Sequence, residues 1–138
     1  MNRTALRTVL YVDDEPDIRQ IVQMSLGLLD NVTTHTADSG EQALEIAREL
    51  RPDLMLLDVM MPGMDGPDTL SRLREDPQLK SIPVIFMTAK AMPQEVARFR
   101  ALGAAGVIAK PFDPMQLGKQ IVALWAGISA GGVADGQR

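Results

Sequence analysis

The chain has 138 residues, 46% of them hydrophobic and 23% charged, with a formal net charge of −4. This is one ordinary globular domain's worth of chain, which excludes a mostly disordered protein. With no cysteine and a single histidine, His35, disulfides, thiolate metal sites and two-histidine zinc sites are excluded, and the negative balance argues against direct binding to nucleic acid.

The first apolar run, Val9 to Val12, stops at Asp13 and is too short for a secretory signal. Thr8 to Val12 instead reads as a buried strand. Pro16 suits a first helical position, so a helix is expected to about Leu29. Val32 to Ala37 is rich in β-branched residues and reads as a second strand. Ser39 and Gln42 form a capping box ahead of Ala43, Leu44, Ala47 and Leu50, which share one helical face.

Leu54 to Leu57 is a third apolar strand, entered after Pro52 and closed by Asp58. Pro62, Gly63 and Gly66 make Met60 to Gly66 a loop, and a helix from about Gly66 to Glu75 follows. Pro83 to Met87 is the fourth strand and ends at Thr88. Pro93 opens a helix that stops at Gly103, a residue suited to a left-handed helix end. Val107 to Ala109 is a short fifth strand, and Asp113 with Pro114 starts a last helix whose face is Leu117, Ile121, Leu124 and Trp125. Ile121 to Ala134 is too short and too glycine-rich to span a bilayer, so no membrane insertion is expected and the expected location is the cytoplasm. Residues 1–126 are read as one domain and 127–138, rich in Gly, Ala and Ser, as a tail.

Five β-α repeats with apolar strands predict an α/β fold, a parallel sheet covered by helices on both faces. Ligands of such sheets bind beyond the carboxyl ends of the strands. There the first strand delivers Asp13 and Asp14, the third Asp58, the fourth Thr88 and the fifth Lys110. Each residue alone has a plain structural account: a strand-end Asp forms turns, and a loop Lys is solvated. Together they place three carboxylates, a hydroxyl and an ammonium at one edge. Three close carboxylates repel unless a cation joins them. Oxygen-only ligation points to a hard ion, Mg²⁺ or Mn²⁺. The balance of groups suits a phosphoryl group, and a carboxylate can itself accept one as an aspartyl phosphate.

Over residues 6–125 the chain resembles the receiver domain of two-component response regulators. The resemblance is carried by the run Val9 to Pro16 (VLYVDDEP), by Pro52 to Gly66 (PDLMLLDVMMPGMDG), by Pro83 to Ala89 (PVIFMTA), and by Gly103 to Gly106 leading into Lys110-Pro111-Phe112. Each motif is weak alone, but their order and spacing are specific. The resemblance implies the flavodoxin-like (βα)5 sandwich with strand order 2-1-3-4-5. It implies that Asp58 accepts a phosphoryl group from a sensor histidine kinase or a histidine phosphotransfer protein. It further implies that Asp13, Asp14, Asp58 and the backbone carbonyl of Met60 hold Mg²⁺. Lys110 would contact the phosphoryl oxygens, Thr88 would move toward them, and the Lys110–Pro111 bond resembles the family's often cis bond.

One position departs from the family. The second switch residue, usually aromatic, is Val107 here, which puts an aromatic-rotamer switch in doubt and leaves coupling to the loop Ala89 to Met92. The expected protein is a stand-alone regulator and not a turnover enzyme. It would bind an unknown downstream protein through the face of the fourth helix, fifth strand and fifth helix; whether a weak phosphorylation-dependent homodimer uses the same face is left open by the sequence. The alternatives are a phosphate shuttle or sink in a multistep phosphorelay and, in another class, a Mg²⁺-dependent phosphatase working through an aspartyl phosphate. Phosphatases of that type need a second Asp two residues after the nucleophile, and Met60 stands there. A flavin-binding protein would want a Ser/Thr/Gly-rich phosphate loop after the first strand, where this chain has Asp-Asp-Glu-Pro. A phosphorylation-independent interaction module would not need the intact acidic set.

Overall fold

The protein is described by a computed structural model over residues 5–135, with side chains to Ser129. The elements alternate: β1 (Thr8–Val12), α1 (Pro16–Leu26), β2 (Thr33–Ala37), α2 (Gly40–Leu50), β3 (Leu54–Asp58), α3 (Gly66–Glu75), β4 (Val84–Thr88), α4 (Pro93–Ala101), β5 (Gly106–Ala109) and α5 (Pro114–Asp135). All strand pairings are parallel, in the order β2-β1-β3-β4-β5. The sequence-based expectation of a flavodoxin-like sheet is met.

Strand alternation divides the core into two layers. Val9, Tyr11, Leu54, Leu56, Ile85, Met87 and Ile108 face Val22 and Leu26 of α1 and Leu117, Ile121 and Trp125 of α5. Leu10, Val12, Met55, Leu57, Val84 and Phe86 face Ala43, Leu44 and Ala47 of α2, Leu70 and Leu73 of α3, and Phe99 of α4. The three central strands carry apolar residues on both faces because both faces are covered. Phe86 and Phe99 meet edge-on with ring centroids 5.0 Å apart, joining sheet to α4.

The helix ends follow local chemistry. α4 closes in a Schellman motif: Gly103 N–H donates to the Arg100 carbonyl and Ala104 N–H to that of Phe99, with Gly103 at φ 112°. The Ser39 hydroxyl accepts from Gln42 N–H, as expected, but the Gln42 side chain accepts from Asp38 N–H and not from Ser39. A full capping box does form at α3, between Asp65 and Asp68.

Two expectations are corrected. α1 ends at Leu26, not near Leu29, because Gly27 caps it and the N–H groups of Leu28 and Leu29 close tight four-residue turns on Ser25 and Leu26 before Asn31 at φ 64°. At the other end, α5 runs on as helix to Asp135 where a tail was expected from 127. Ile128 continues the spacing of Ile121, Leu124 and Trp125 and packs on the same layer. Residues 136–138 of that expected tail and residues 1–4 lie outside the described residues. No described helix is long and apolar enough to cross a membrane.

Candidate functional site

The register explains why the acidic residues meet. Val12 lies opposite Leu57 in the β1–β3 pair, so the next residues on, Asp13 and Asp58, are neighbours at the carboxyl edge. Asp13 follows Tyr11 and Asp58 follows Leu56, placing both on the face covered by α1 and α5. Lys110 follows Ile108 on that face, and its N–H donates to the Thr88 carbonyl at 2.8 Å, which extends the β4–β5 ladder into the site.

The side chains converge accordingly. Lys110 Nζ is 3.3 Å from Asp13 Oδ2 and 3.3 Å from Asp58 Oδ1. Asp13 is fully buried and Asp58 nearly so, whereas Asp14 is exposed. One carboxylate oxygen from each of Asp13, Asp14 and Asp58 lies within 4.8 Å of the others. An all-oxygen donor set of this size fits a hard divalent cation. The Lys110–Pro111 bond is cis.

The electrostatics are asymmetric. Burial and the neighbouring Asp13 charge push the Asp58 carboxyl from 3.8 up to about 6, against the lowering pull of Lys110 and the Met60 backbone. Burial alone would lower the Lys110 ammonium, but Asp58 and Asp13 outweigh it and hold the group above its usual value. The site thus has more negative charge than its one lysine balances, and Asp58 carries the strain of that excess.

Asp13 is held by several donors. The Glu15 N–H reaches Oδ1 at 3.0 Å, and the Tyr11 hydroxyl reaches Oδ2 at 2.5 Å. Burial, then the bond to Asp13, raise the Tyr11 phenol well above its ordinary range, so it stays protonated as a donor. Arg19 of α1 also donates to the Asp13 backbone carbonyl at 2.8 Å. Tyr11 was not among the sequence-predicted site residues. Its signal was present: a tyrosine two residues before Asp13 in a strand shares that residue's face.

Thr88 is buried at the end of β4. Alternation along β4 groups it with Val84 and Phe86 of the other layer, and its hydroxyl oxygen accepts from Lys90 N–H at 3.0 Å. Val107 is half-buried beside Phe86 and packs on that same layer. Met60 is 77% exposed, on the loop immediately after Asp58. Gly66 folds this loop back, donating its N–H to the Val59 carbonyl at 3.0 Å.

Residues 9–122 match the family model described as the response regulator receiver domain. Among curated relatives, the chain is 38% identical over 114 residues to the DNA-binding response regulator MtrA of Mycolicibacterium smegmatis, covering 83% of this chain and 48% of that protein. It is 40% identical over 104 residues to a probable cyclic di-GMP phosphodiesterase of Vibrio cholerae, covering 75% of this chain and 23% of that protein. The chain therefore spans about half or less of the length of these relatives. Among solved structures, the chemotaxis response regulator CheY4 of Vibrio cholerae superposes with a TM-score of 0.79 at 33% identity, covering 87% of this chain and 99% of that one. A response regulator receiver protein's N-terminal domain from Methanoculleus marisnigri gives 0.70 at 38% identity, covering 88% and 98%.

Proposed function

Because the chain belongs to the response regulator receiver family of two-component signalling, we propose that Asp58 is the acceptor in phosphoryl transfer from a histidine kinase or histidine phosphotransfer protein. The observation that carries this reading is the pairing of Asp58 with Lys110 inside the acidic group. A carboxyl with a pKa of about 6 is mostly ionised near neutral pH, so its oxygen is available as the nucleophile. That oxygen bonds to the phosphorus of the donor's phosphohistidine as the nitrogen–phosphorus bond breaks, and the imidazole leaves with the bonding pair.

Asp13, Asp14 and Asp58, with the backbone carbonyl of Met60, are the residues that would hold Mg²⁺ or Mn²⁺. The ion, when bound, supplies positive charge against the transferring oxygens. Lys110 adds a fixed positive charge beside the same oxygens. Phosphorylation brings roughly −1.5 to −2 charges and three strong acceptors to this edge. The Thr88 hydroxyl bears a proton that it can donate to them if the Ala89–Met92 loop closes, at the expense of its bond from Lys90. That loop leads directly into α4, so its closure alters the face formed by α4, β5 and α5, where a downstream protein or a second copy of the chain would bind. With Val107 on β5, the shift proceeds without an aromatic ring turning inward. Receiver activity of this kind is a binding switch and not enzymatic turnover. The Met60 thioether, two residues after Asp58, has no proton to give a leaving group.

The test is intact mass after incubation with acetyl phosphate. One phosphoryl is gained with Mg²⁺ present, none with a chelator, and none in Asp58→Asn. Undiminished labelling of Asp58→Asn overturns the assignment.

A further inference from the structure

Tyr11 is the one aromatic residue in β1, and its hydroxyl is buried deep in the layer between the sheet and α1 and α5. A buried hydroxyl without a partner is costly, so a tyrosine is tolerated here through its bond to Asp13. At 2.5 Å this bond lies in the short range of a hydroxyl donating to an ionised carboxylate.

The lone pairs of Asp13 show what the bond does. A carboxylate has about four acceptor positions, two on each oxygen. On Asp13, Oδ2 takes both the Tyr11 hydroxyl and the Lys110 ammonium. Oδ1 takes the Glu15 N–H and keeps one position. We propose that Tyr11 is a positioning residue for the cation site: it occupies Asp13 Oδ2 from below, fixes the carboxylate plane, and leaves Oδ1 as the single oxygen offered to a divalent ion. This rests on the metal-binding reading given above. The sheet supplies the rigidity, since Tyr11 lies beside Leu56 in the β1–β3 register and its ring is buried in the packed layer between the sheet and α1 and α5. Partners of this kind, which orient a ligand without touching the ion, typically contribute 10–100-fold to metal affinity.

Tyr11→Phe removes the hydroxyl and keeps the ring, and the chain has one tyrosine, so its ring signal is unambiguous. Mg²⁺ affinity is measured by calorimetry on wild type and Tyr11→Phe. In wild-type protein labelled with carbon-13 at the tyrosine Cζ, the single resonance is followed through the same titration. The expected result is Mg²⁺ binding weakened about 10–100-fold in Tyr11→Phe with the amide spectrum still that of a folded protein. The wild-type tyrosine signal moves with the same midpoint as the heat. Equal affinity in the two proteins, or wild-type binding that leaves the tyrosine signal unmoved, overturns the role of Tyr11 and leaves the cation site standing. Wild-type protein that binds no Mg²⁺ overturns the metal reading, and the role of Tyr11 falls with it. If Tyr11→Phe does not fold, the wild-type tyrosine signal alone decides.

Discussion

A Cβ added to Gly66 would lie 2.7 Å from the backbone carbonyl oxygen of Asp58. The start of α3 is therefore pressed against the backbone of Asp58, the proposed acceptor. The neighbouring atoms are main chain, including the Val59 Cα at 2.9 Å, and cannot rotate away. Gly66→Ala must push α3 and the end of β3 apart. We expect a loss of about 1–3 kcal/mol in urea unfolding, the usual cost of overpacking. Slower labelling of Asp58 by acetyl phosphate should accompany it. Wild-type stability in this variant would show that the loop yields freely.

Asp58 makes stability depend on pH in a definite direction. Its carboxyl titrates near 3.8 when unfolded and at about 6 in the folded protein. The unfolded state therefore releases the proton first, and ionisation disfavours folding. The contribution is at its most favourable below about 4, is lost as pH rises to about 6, and stays level above that. Asp58→Asn removes this titration. The variant is expected to be more stable than wild type at pH 7, by about 1–3 kcal/mol, with a flatter stability profile between pH 4 and 6. Parallel profiles for the two proteins would place the excess charge elsewhere.

Lys110 is the counter-charge to both buried acids, so its removal should be felt at Asp58. In Lys110→Met the lowering influence of the ammonium disappears while burial and Asp13 remain. The Asp58 carboxyl is expected to titrate above 6, as read from its side-chain carbon signal by NMR. The variant should also unfold more easily at neutral pH, since a carboxylate pair is left without its partner. An unchanged Asp58 titration would contradict the 3.3 Å contact.

Divalent cations should stabilise the fold for the same reason. Mg²⁺ at about 100 times its dissociation constant is expected to add about 2.7 kcal/mol, reversible by chelation. The gain should shrink in Asp58→Asn, which removes a charged ligand and the repulsion the ion relieves. A shift of equal size in both proteins would locate binding outside the Asp13, Asp14 and Asp58 group.

Thr88 is expected to separate chemistry from switching. Thr88→Val keeps the buried shape and removes the hydroxyl that accepts from Lys90 N–H. Labelling of Asp58 by acetyl phosphate should persist. The phosphorylation-dependent change in amide exchange at residues 89–92 should be lost. A retained change would assign the coupling to another group.

Much of this architecture is legible in the chain itself. Apolar runs such as Leu54 to Leu57 need cover on two faces, so a parallel sheet with helices on each side follows from patterning alone. Pro16, Pro93 and Pro114 mark helix starts, and Gly103 a helix end, because these residues permit or forbid particular backbone angles locally. Asp13, Asp14, Asp58, Thr88 and Lys110 could be gathered to one edge because each ends a strand or lies just past one. The ends of α1 and α5 were less legible. Gly27 and Ile128 act through turn formation and packing that composition does not display.

Distances and partners were decided in three dimensions. Lys110 is 97 residues from Asp13 in sequence and 3.3 Å from it in space, a closeness set by strand register and by the Lys110 N–H bond to the Thr88 carbonyl that extends the β4–β5 ladder. The division of labour within the acidic set came from the same source: Asp13 buried and bound by Tyr11 and Glu15, Asp58 forced upward in pKa, Asp14 left in solvent. Residue type and order determine which groups reach the edge. Burial and the geometry of neighbouring charges, which exist only once the layers pack, determine what each group does there.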